Sequence, residues 1–105
     1  MLDVLDVMTR LGEVKNKTAE ALRVTEADGG ASVVTVAVVR EFDTKADKAN
    51  RQPQSDGSAR DAVIELEQAG DSAKAAVEAD PNLSREAFQA VQDAHLAICI
   101  LKTEV

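Results

Sequence analysis

The residues best suited to chemistry are two that each occur once in the chain, His95 and Cys99. A single cysteine cannot form a disulfide within the chain, and it cannot complete a four-cysteine zinc site or a redox pair. Cys99 lies in an apolar helical pattern, and free cysteine is among the side chains most often buried in proteins. We therefore expect Cys99 to be a small core residue rather than a nucleophile.

His95 lies on a predicted helix face with three apolar residues, Phe88, Val91 and Ile98. Met8, near the start of the first predicted helix, could lie at the same level in an antiparallel bundle. This pair resembles the Met/His haem ligation of the four-helix b-type cytochromes, which implies Met8 and His95 as haem ligands. The sequence has no Cys-x-x-Cys-His attachment motif and only two aromatic residues to line a macrocycle. The favoured interpretation is a hydrogen-bonded core histidine, and no cofactor is expected.

Four acidic residues are weak candidates for a metal site: Glu13, Glu20, Asp61 and Glu65. Around Glu13 and Glu20 the first helix is similar to that of the helical nucleotide pyrophosphatases, whose Glu-Glu-x-x-Glu cluster holds magnesium, but the adjacent glutamate pair is missing. Asp61 and Glu65 share one helix face, as solvated acidic pairs commonly do. A di-iron bundle is excluded, because it needs Glu-x-x-His on two helices and the residue three before His95 is glutamine.

The most apolar stretch of the chain covers residues 33–39, and its burial determines the architecture. Its β-branched residues favour a strand, which leaves an α+β fold as the alternative. However, the apolar residues Val39, Phe42, Ala46 and Ala49 follow one another at steps of three and four. This pattern predicts a helix from 33 to 51, with Ser32 as its N-cap.

Two of the remaining helices are delimited by glycine and serine. The first helix is predicted over residues 2–27, and Gly29 and Gly30 would supply a left-handed C-cap. A polar loop covers residues 51–57. The third helix is predicted to begin at Ser58, which is spaced from Asp61 as in a capping box.

The third helix carries Gly70 on its apolar face, which indicates close backbone approach by a neighbouring helix or else a kink. Pro81 ends this helix, and Ser84 is predicted to cap the fourth. The predicted inner face of the fourth helix consists of Ala87, Val91, Ala94, Ile98 and Leu101. No internal repeat is apparent. Short loops make consecutive helices antiparallel, so we predict an all-α, up-down-up-down four-helix bundle that forms one domain over residues 1–105.

Composition and charge restrict the partners. The chain has 105 residues, a formal net charge of −7 and only 2% aromatic residues, so its core must be aliphatic. A negative field repels phosphate backbones and anionic lipid, and we expect neither a nucleic-acid nor a membrane partner. The first residues include Asp3 and Asp6 rather than basic residues, and no run of ~18 apolar residues is present. We therefore expect a cytoplasmic protein.

The apolar stretch at residues 33–39, which we call the valine run, also predicts an interface. In a helix its side chains point in nearly every direction, whereas a helix of a monomeric bundle needs apolar cover on little more than ~100° of its circumference. Because contiguous apolar surface marks interfaces, we expect a symmetric homodimer. The predicted interface residues are Val33, Val34, Val36, Val38 and Val39.

The leading functional hypothesis is a non-enzymatic protein–protein interaction module with an unidentified protein partner. The alternative is a small enzyme or ligand-binding bundle with an acidic site between helices.

Overall fold

The computed structural model describes residues 2–52 and 56–105. Within these ranges the chain forms four α-helices: α1 (Val4–Ala27), α2 (Val33–Arg51), α3 (Asp56–Glu78) and α4 (Arg85–Glu104). Helices α1 and α3 each pack against both α2 and α4, and they lie diagonally across from one another. The molecule measures 41 × 21 × 17 Å. The predicted up-down-up-down bundle is confirmed, and the α+β alternative is wrong because the described ranges contain no strand.

Serine side chains begin two of the helices as predicted. The hydroxyl oxygens of Ser32 and Ser84 each accept a hydrogen bond from the backbone N–H three residues later, at 3.1 Å in both cases. Each bond satisfies an amide that has no partner within its own helix. The prediction for α3 is wrong by two residues, because the helix begins at Asp56 and Ser58 lies inside it. Residues 53–55 of the predicted polar loop lie outside the described residues.

One apolar face of each helix points into a common core. The buried residues of α4 are the predicted ones: Ala87, Val91, Ala94, Ile98 and Leu101. The largest fully buried side chain is Phe42 of α2. None of the helices in the described part of the chain is both long and apolar enough to cross a bilayer.

Gly70 makes room for core side chains of two neighbouring helices. A Cβ atom at this position would lie 3.1 Å from Cζ of Phe42 and 3.3 Å from both Cδ2 of His95 and Cγ2 of Ile98. Helix α3 continues through Gly70. The predicted close approach is therefore present, but side chains rather than a neighbouring backbone fill the space.

The core positions of the two halves of the chain recur with a spacing of 52 residues, as in the buried pairs Leu11 and Val63, and Val39 and Val91. The spacing also relates two copies of a short motif, Glu-Ala-Asp-x-x-x-Ser, at residues 26–32 and 78–84. Each copy spans the turn of one helical hairpin, α1–α2 or α3–α4. We expected no internal repeat from the sequence, and this expectation is wrong. The bundle consists of two equivalent hairpins.

The two copies of the motif bind each other through their aspartates. Oδ2 of Asp80 accepts hydrogen bonds from the backbone N–H of Ser32 at 2.9 Å and from the hydroxyl of Thr35 at 2.7 Å. In the reciprocal contact, Oδ2 of Asp28 accepts the backbone N–H of Ser84 at 2.6 Å. Each aspartate thus binds the N-cap residue of the helix in the other hairpin. We call these contacts of Asp28 and Asp80 the aspartate brace.

The turns of the two hairpins lie in close contact at the brace. A Cβ atom on Gly30 would lie 2.0 Å from the carbonyl oxygen of Asn82, so only glycine fits there. The predicted left-handed glycine C-cap is wrong, because no glycine among the described residues has a positive φ. Asp28 ends α1 instead, in an extended conformation. Glycine is needed at position 30 because the turn at Asn82 leaves no room for a Cβ atom, and its backbone freedom is not used.

Hydrogen bonding lowers the pKa of both carboxyl groups of the brace. The main cause is the backbone N–H of Ser84 for Asp28, and the backbone N–H of Ser32 for Asp80. A carboxyl group whose pKa is lowered by folding stabilises the folded state above its unfolded pKa of about 3.9. This stabilisation is lost as the pH falls through the lower pKa of the folded state. The brace therefore contributes fully at neutral pH and weakens in acid.

Replacing both carboxylates, Asp28→Asn with Asp80→Asn, should lower the free energy of unfolding at neutral pH. It should also reduce the loss of stability on acidification, because two groups with lowered pKa values are removed. Urea unfolding at neutral pH and at about pH 3 measures both effects. Asp61→Asn, a change at an exposed carboxylate of α3, serves as the control. Equal pH dependence in the double variant and the parent would contradict the role of the brace.

Gly70→Ala should destabilise the protein. The gain in helix propensity is about 1 kcal/mol, whereas overpacking against the fully buried Phe42 and Ile98 costs about 1–3 kcal/mol. Gly12→Ala is the matched control, because its added Cβ would meet only Oδ1 of Asn50, at an ordinary 3.4 Å. We expect opposite changes in Tm for the two variants. A higher Tm for Gly70→Ala would show that the contact around residue 70 is loose.

Candidate functional site

The structure does not bring the four predicted acidic residues together. Glu13 and Glu20 lie on α1, where they pair with Arg10 and Arg23 of the same helix. Asp61 and Glu65 lie on α3, diagonally across the bundle from α1. The four carboxylates therefore form two separate exposed pairs, and they do not make one ligand set between helices.

Ion pairing keeps two of these carboxylates ionised. A hydrogen bond from Arg23 lowers the pKa of Glu20. A hydrogen bond from Lys45, at 2.6 Å, lowers the pKa of Glu65. A general acid working near neutral pH needs a raised pKa, so neither glutamate is suited to that role.

Met8 and His95 are also not brought together. The end of α4 lies beside the start of α1, because Glu104 binds Arg10 at 2.6 Å and accepts the backbone N–H of Leu2. His95 lies about 2.5 turns before Glu104 and Met8 about 1.7 turns after Leu2, so their levels differ by less than one turn. It is the directions of the two side chains that separate them. The ring of His95 faces α3, whereas Met8 of α1 is partly exposed. The two side chains do not form the opposed pair that haem ligation by this bundle would need.

The five predicted interface valines have different surroundings. Val33 and Val34 are 86% and 67% exposed. Val36 and Val38 are half-buried at the edges of α2. Val39 is fully buried in the core, so its assignment to an intermolecular interface is wrong. The reason is helical register, since Val39 precedes the core residue Phe42 by three positions.

Three potential ligands that were not predicted from the sequence form a cluster between α3 and α4. Nε2 of His95 lies 2.8 Å from Oδ1 of Asp71 and 3.4 Å from Sγ of Cys99. All three ligand atoms lie within 4.8 Å of one another. The His95 side chain is 14% exposed and that of Asp71 57% exposed, while Cys99 is half-buried. We call these three residues the Asp-His-Cys cluster.

The positions of the cluster follow from helix geometry. His95 and Cys99 are four residues apart and therefore lie on the same side of α4. Asp71 follows Gly70 on α3, and the missing side chain of Gly70 allows the His95 ring to lie against that helix. The cluster therefore rests on two packed helices rather than on a loop, which limits its flexibility.

The surroundings of Cys99 favour the neutral thiol. Burial raises the pKa of Cys99, and the nearby carboxylates of Glu67 and Asp71 raise it further. Glu67 lies one helical turn before Asp71 and binds Lys102 at 3.2 Å. A nucleophilic cysteine needs the opposite shift, since the thiolate is the reactive form.

The cluster also lacks the geometry of a nucleophilic triad. In a triad the histidine uses one ring nitrogen for the nucleophile and the other for the carboxylate. Here Nε2 is the nitrogen nearer to Sγ, at 3.4 Å against 3.8 Å for Nδ1, and the same Nε2 contacts Asp71. The three groups converge on one point instead of forming a relay.

One sequence signal pointed to this cluster, namely the spacing of His95 and Cys99. From the sequence, this spacing indicates an apolar helix face, because both residues lie next to core positions. Asp71 could not be added from the sequence, since its approach to His95 depends on the register between α3 and α4.

Comparisons of the chain with protein-family models, with curated proteins and with solved structures found no match.

Proposed function

We propose that the protein is a non-enzymatic interaction module that acts as a homodimer. The observation that carries the proposal is the exposure of Val33 and Val34, at 86% and 67%. The proposed contact surface, which we call the valine patch, consists of Val33, Val34, Ala37, Ala76, Ala79 and Pro81.

The shape of the surface supports this proposal. Val34 lines a shallow depression with Ala76, Ala79 and Pro81 at the end of α3. Val33 and Ala37 extend the apolar surface along α2, and both are exposed. A convex pair of valines beside a shallow depression can complement its own copy across a two-fold axis.

The charge distribution favours a second copy as the occupant. The chain carries a net charge of −7, so contact between most pairs of identical surfaces is opposed by repulsion. No charged residue occurs between Asp28 and Arg40, which leaves the start of α2 uncharged. Asp80 also lines the depression, but its carboxylate accepts hydrogen bonds from Ser32 and Thr35. In each copy the Asp80 carboxylate at this patch is therefore already hydrogen-bonded within its own chain.

The energetics favour a weak dimer. Burying a valine side chain fully stabilises association by about 1.5–3 kcal/mol, and a two-fold contact would bury four. Association itself costs about 4–15 kcal/mol of rotational and translational freedom. A patch of six small residues would also bury less surface than the ~1,200 Å² that is typical of stable complexes. We therefore expect dimerisation that depends on protein concentration.

The alternative function, a small enzyme with an acidic site between helices, has less support. It relied on Glu13, Glu20, Asp61 and Glu65 acting together, and these residues lie on diagonally opposed helices.

Sedimentation velocity over about a hundred-fold range of protein concentration tests the dimer. The parent should shift from monomer to dimer mass as concentration rises. Val33→Lys with Val34→Lys should remain monomeric, because four lysines would meet in the interface, and its circular dichroism spectrum should be unchanged.

Leu5→Lys is the matched control for this experiment. Leu5 is 76% exposed and lies at the opposite end of the bundle, where α1 begins. This variant should dimerise like the parent. A monomer mass at every concentration would refute the homodimer, and equal dissociation by Leu5→Lys would refute its placement at the valine patch.

A further inference from the structure

We propose that Asp71, His95 and Cys99 form a Zn²⁺-binding site with three protein ligands and one open coordination position. The site is independent of the proposed dimer. It lies in the groove between α3 and α4, whereas the valine patch lies at the end of the bundle where α2 begins.

The His95–Cys99 distance is close to that of a tetrahedral zinc site, and a carboxylate oxygen of Asp71 lies within 4.8 Å of both ligand atoms. Zinc binds histidine nitrogen and carboxylate oxygen at about 2.0–2.2 Å and cysteine sulfur at about 2.3 Å, so neighbouring ligand atoms lie about 3.4–3.6 Å apart. The distance from Nε2 of His95 to Sγ of Cys99 is 3.4 Å, which already matches. The distance from Nε2 to Oδ1 of Asp71 is 2.8 Å, the length of a hydrogen bond. Asp71 is 57% exposed, so its carboxylate can withdraw by about half an ångström to admit the ion.

Convergence on one nitrogen is the feature that indicates a metal. Oδ1 of Asp71 and Sγ of Cys99 both approach Nε2 of His95, and one ring nitrogen can share one proton with only one of them at full strength. A cation placed among the three atoms would bind all of them at once. Such an ion would replace the hydrogen bond by three bonds to a single centre. The thiol proton of Cys99 would be released to solvent as the Zn–S bond forms.

The donor types select the class of metal. Nitrogen, sulfur and oxygen together suit a borderline cation such as Zn²⁺, whereas Mg²⁺ and Ca²⁺ prefer oxygen ligands only. The second carboxylate, Glu67, lies one turn from Asp71 and is paired with Lys102. That ion pair offsets the charge of Glu67, so the donor atoms rather than the surrounding charge select the metal. Three protein ligands leave the fourth zinc position open to water or another ligand.

The repeat of the hairpins shows that the cluster is particular to the second one. The residues equivalent to Asp71, His95 and Cys99 at the 52-residue spacing are Ala19, Asp43 and Asp47. In the first hairpin Asp43 instead binds the Lys15 ammonium at 2.7 Å and the Thr18 hydroxyl at 2.8 Å. The first hairpin is therefore stabilised at the equivalent position without aspartate, histidine and cysteine together. Packing alone does not explain why these three residues occur together in the second hairpin.

Titration of the untagged 105-residue protein with Co²⁺ and then Zn²⁺ tests the proposal. A cobalt–thiolate bond gives a charge-transfer band in the near ultraviolet, and tetrahedral cobalt gives intense bands in the visible. We expect both sets of bands at one equivalent of Co²⁺ and their loss on addition of Zn²⁺. Zinc should also slow the reaction of Cys99 with a thiol reagent.

Variants on both helices locate the ligands. Cys99→Ser should abolish the charge-transfer band. Asp71→Ala should weaken Zn²⁺ binding at least about 100-fold, since loss of even an outer partner of a metal ligand costs about 10–100-fold. Asp61→Ala removes another exposed carboxylate from α3 and should bind zinc like the parent.

Two results would overturn the site. One is the absence of a charge-transfer band from the folded parent protein. The other is Zn²⁺ affinity that is the same in Asp71→Ala as in Asp61→Ala. Asp71 is exposed, so its replacement by alanine keeps the helix and leaves this comparison valid even where Cys99→Ser fails to fold.

Discussion

The aspartate brace is the constraint on which the orientation of α2 depends. Asp80 binds both the backbone N–H of Ser32 and the hydroxyl of Thr35, so the first turn of α2 is held with Thr35 inward. Thr35 is 2% exposed although it is polar. Once Thr35 faces the core, the two residues between it and the N-cap must face water. A pair of hydrogen bonds thus holds the first turn in the same register as the buried Val39 and Phe42, and Val33 and Val34 are the exposed valines.

Predictions from the sequence were right where local properties determine the structure. The inner face of α4 and the Ser32 and Ser84 caps were predicted, because apolar spacing and N-cap chemistry are local properties. In the valine run every side chain is apolar or small, so composition does not distinguish the buried face. The spacing of Val39 and Phe42 already placed Val39 on the core face, and treating the run as one surface assigned Val39 to the wrong environment. The contact that holds Thr35 inward comes from Asp80, which is 45 residues away in sequence.

The hairpin repeat was missed for a related reason. Its members preserve burial rather than residue type, as in the pairs Phe42 and Ala94, and Thr18 and Gly70. The turn motif that carries the brace keeps its residues, because a hydrogen bond to an N-cap amide requires a carboxylate at one place. Side chains outside the core were free to differ, and the Asp-His-Cys cluster occurs in one hairpin alone. Two similar hairpins can therefore serve different purposes within one bundle.

We propose that this bundle carries two separate surfaces, the valine patch and the Asp-His-Cys cluster. Backbone amide NMR spectra of one ¹⁵N-labelled sample, first diluted and then titrated with Zn²⁺, test whether the two are separate. Dilution should shift the amide signals around residues 32–38 and 76–82, and zinc should shift those around 67–72 and 94–100. Signals from one set of residues responding to both changes, or from neither set responding, would contradict this proposal.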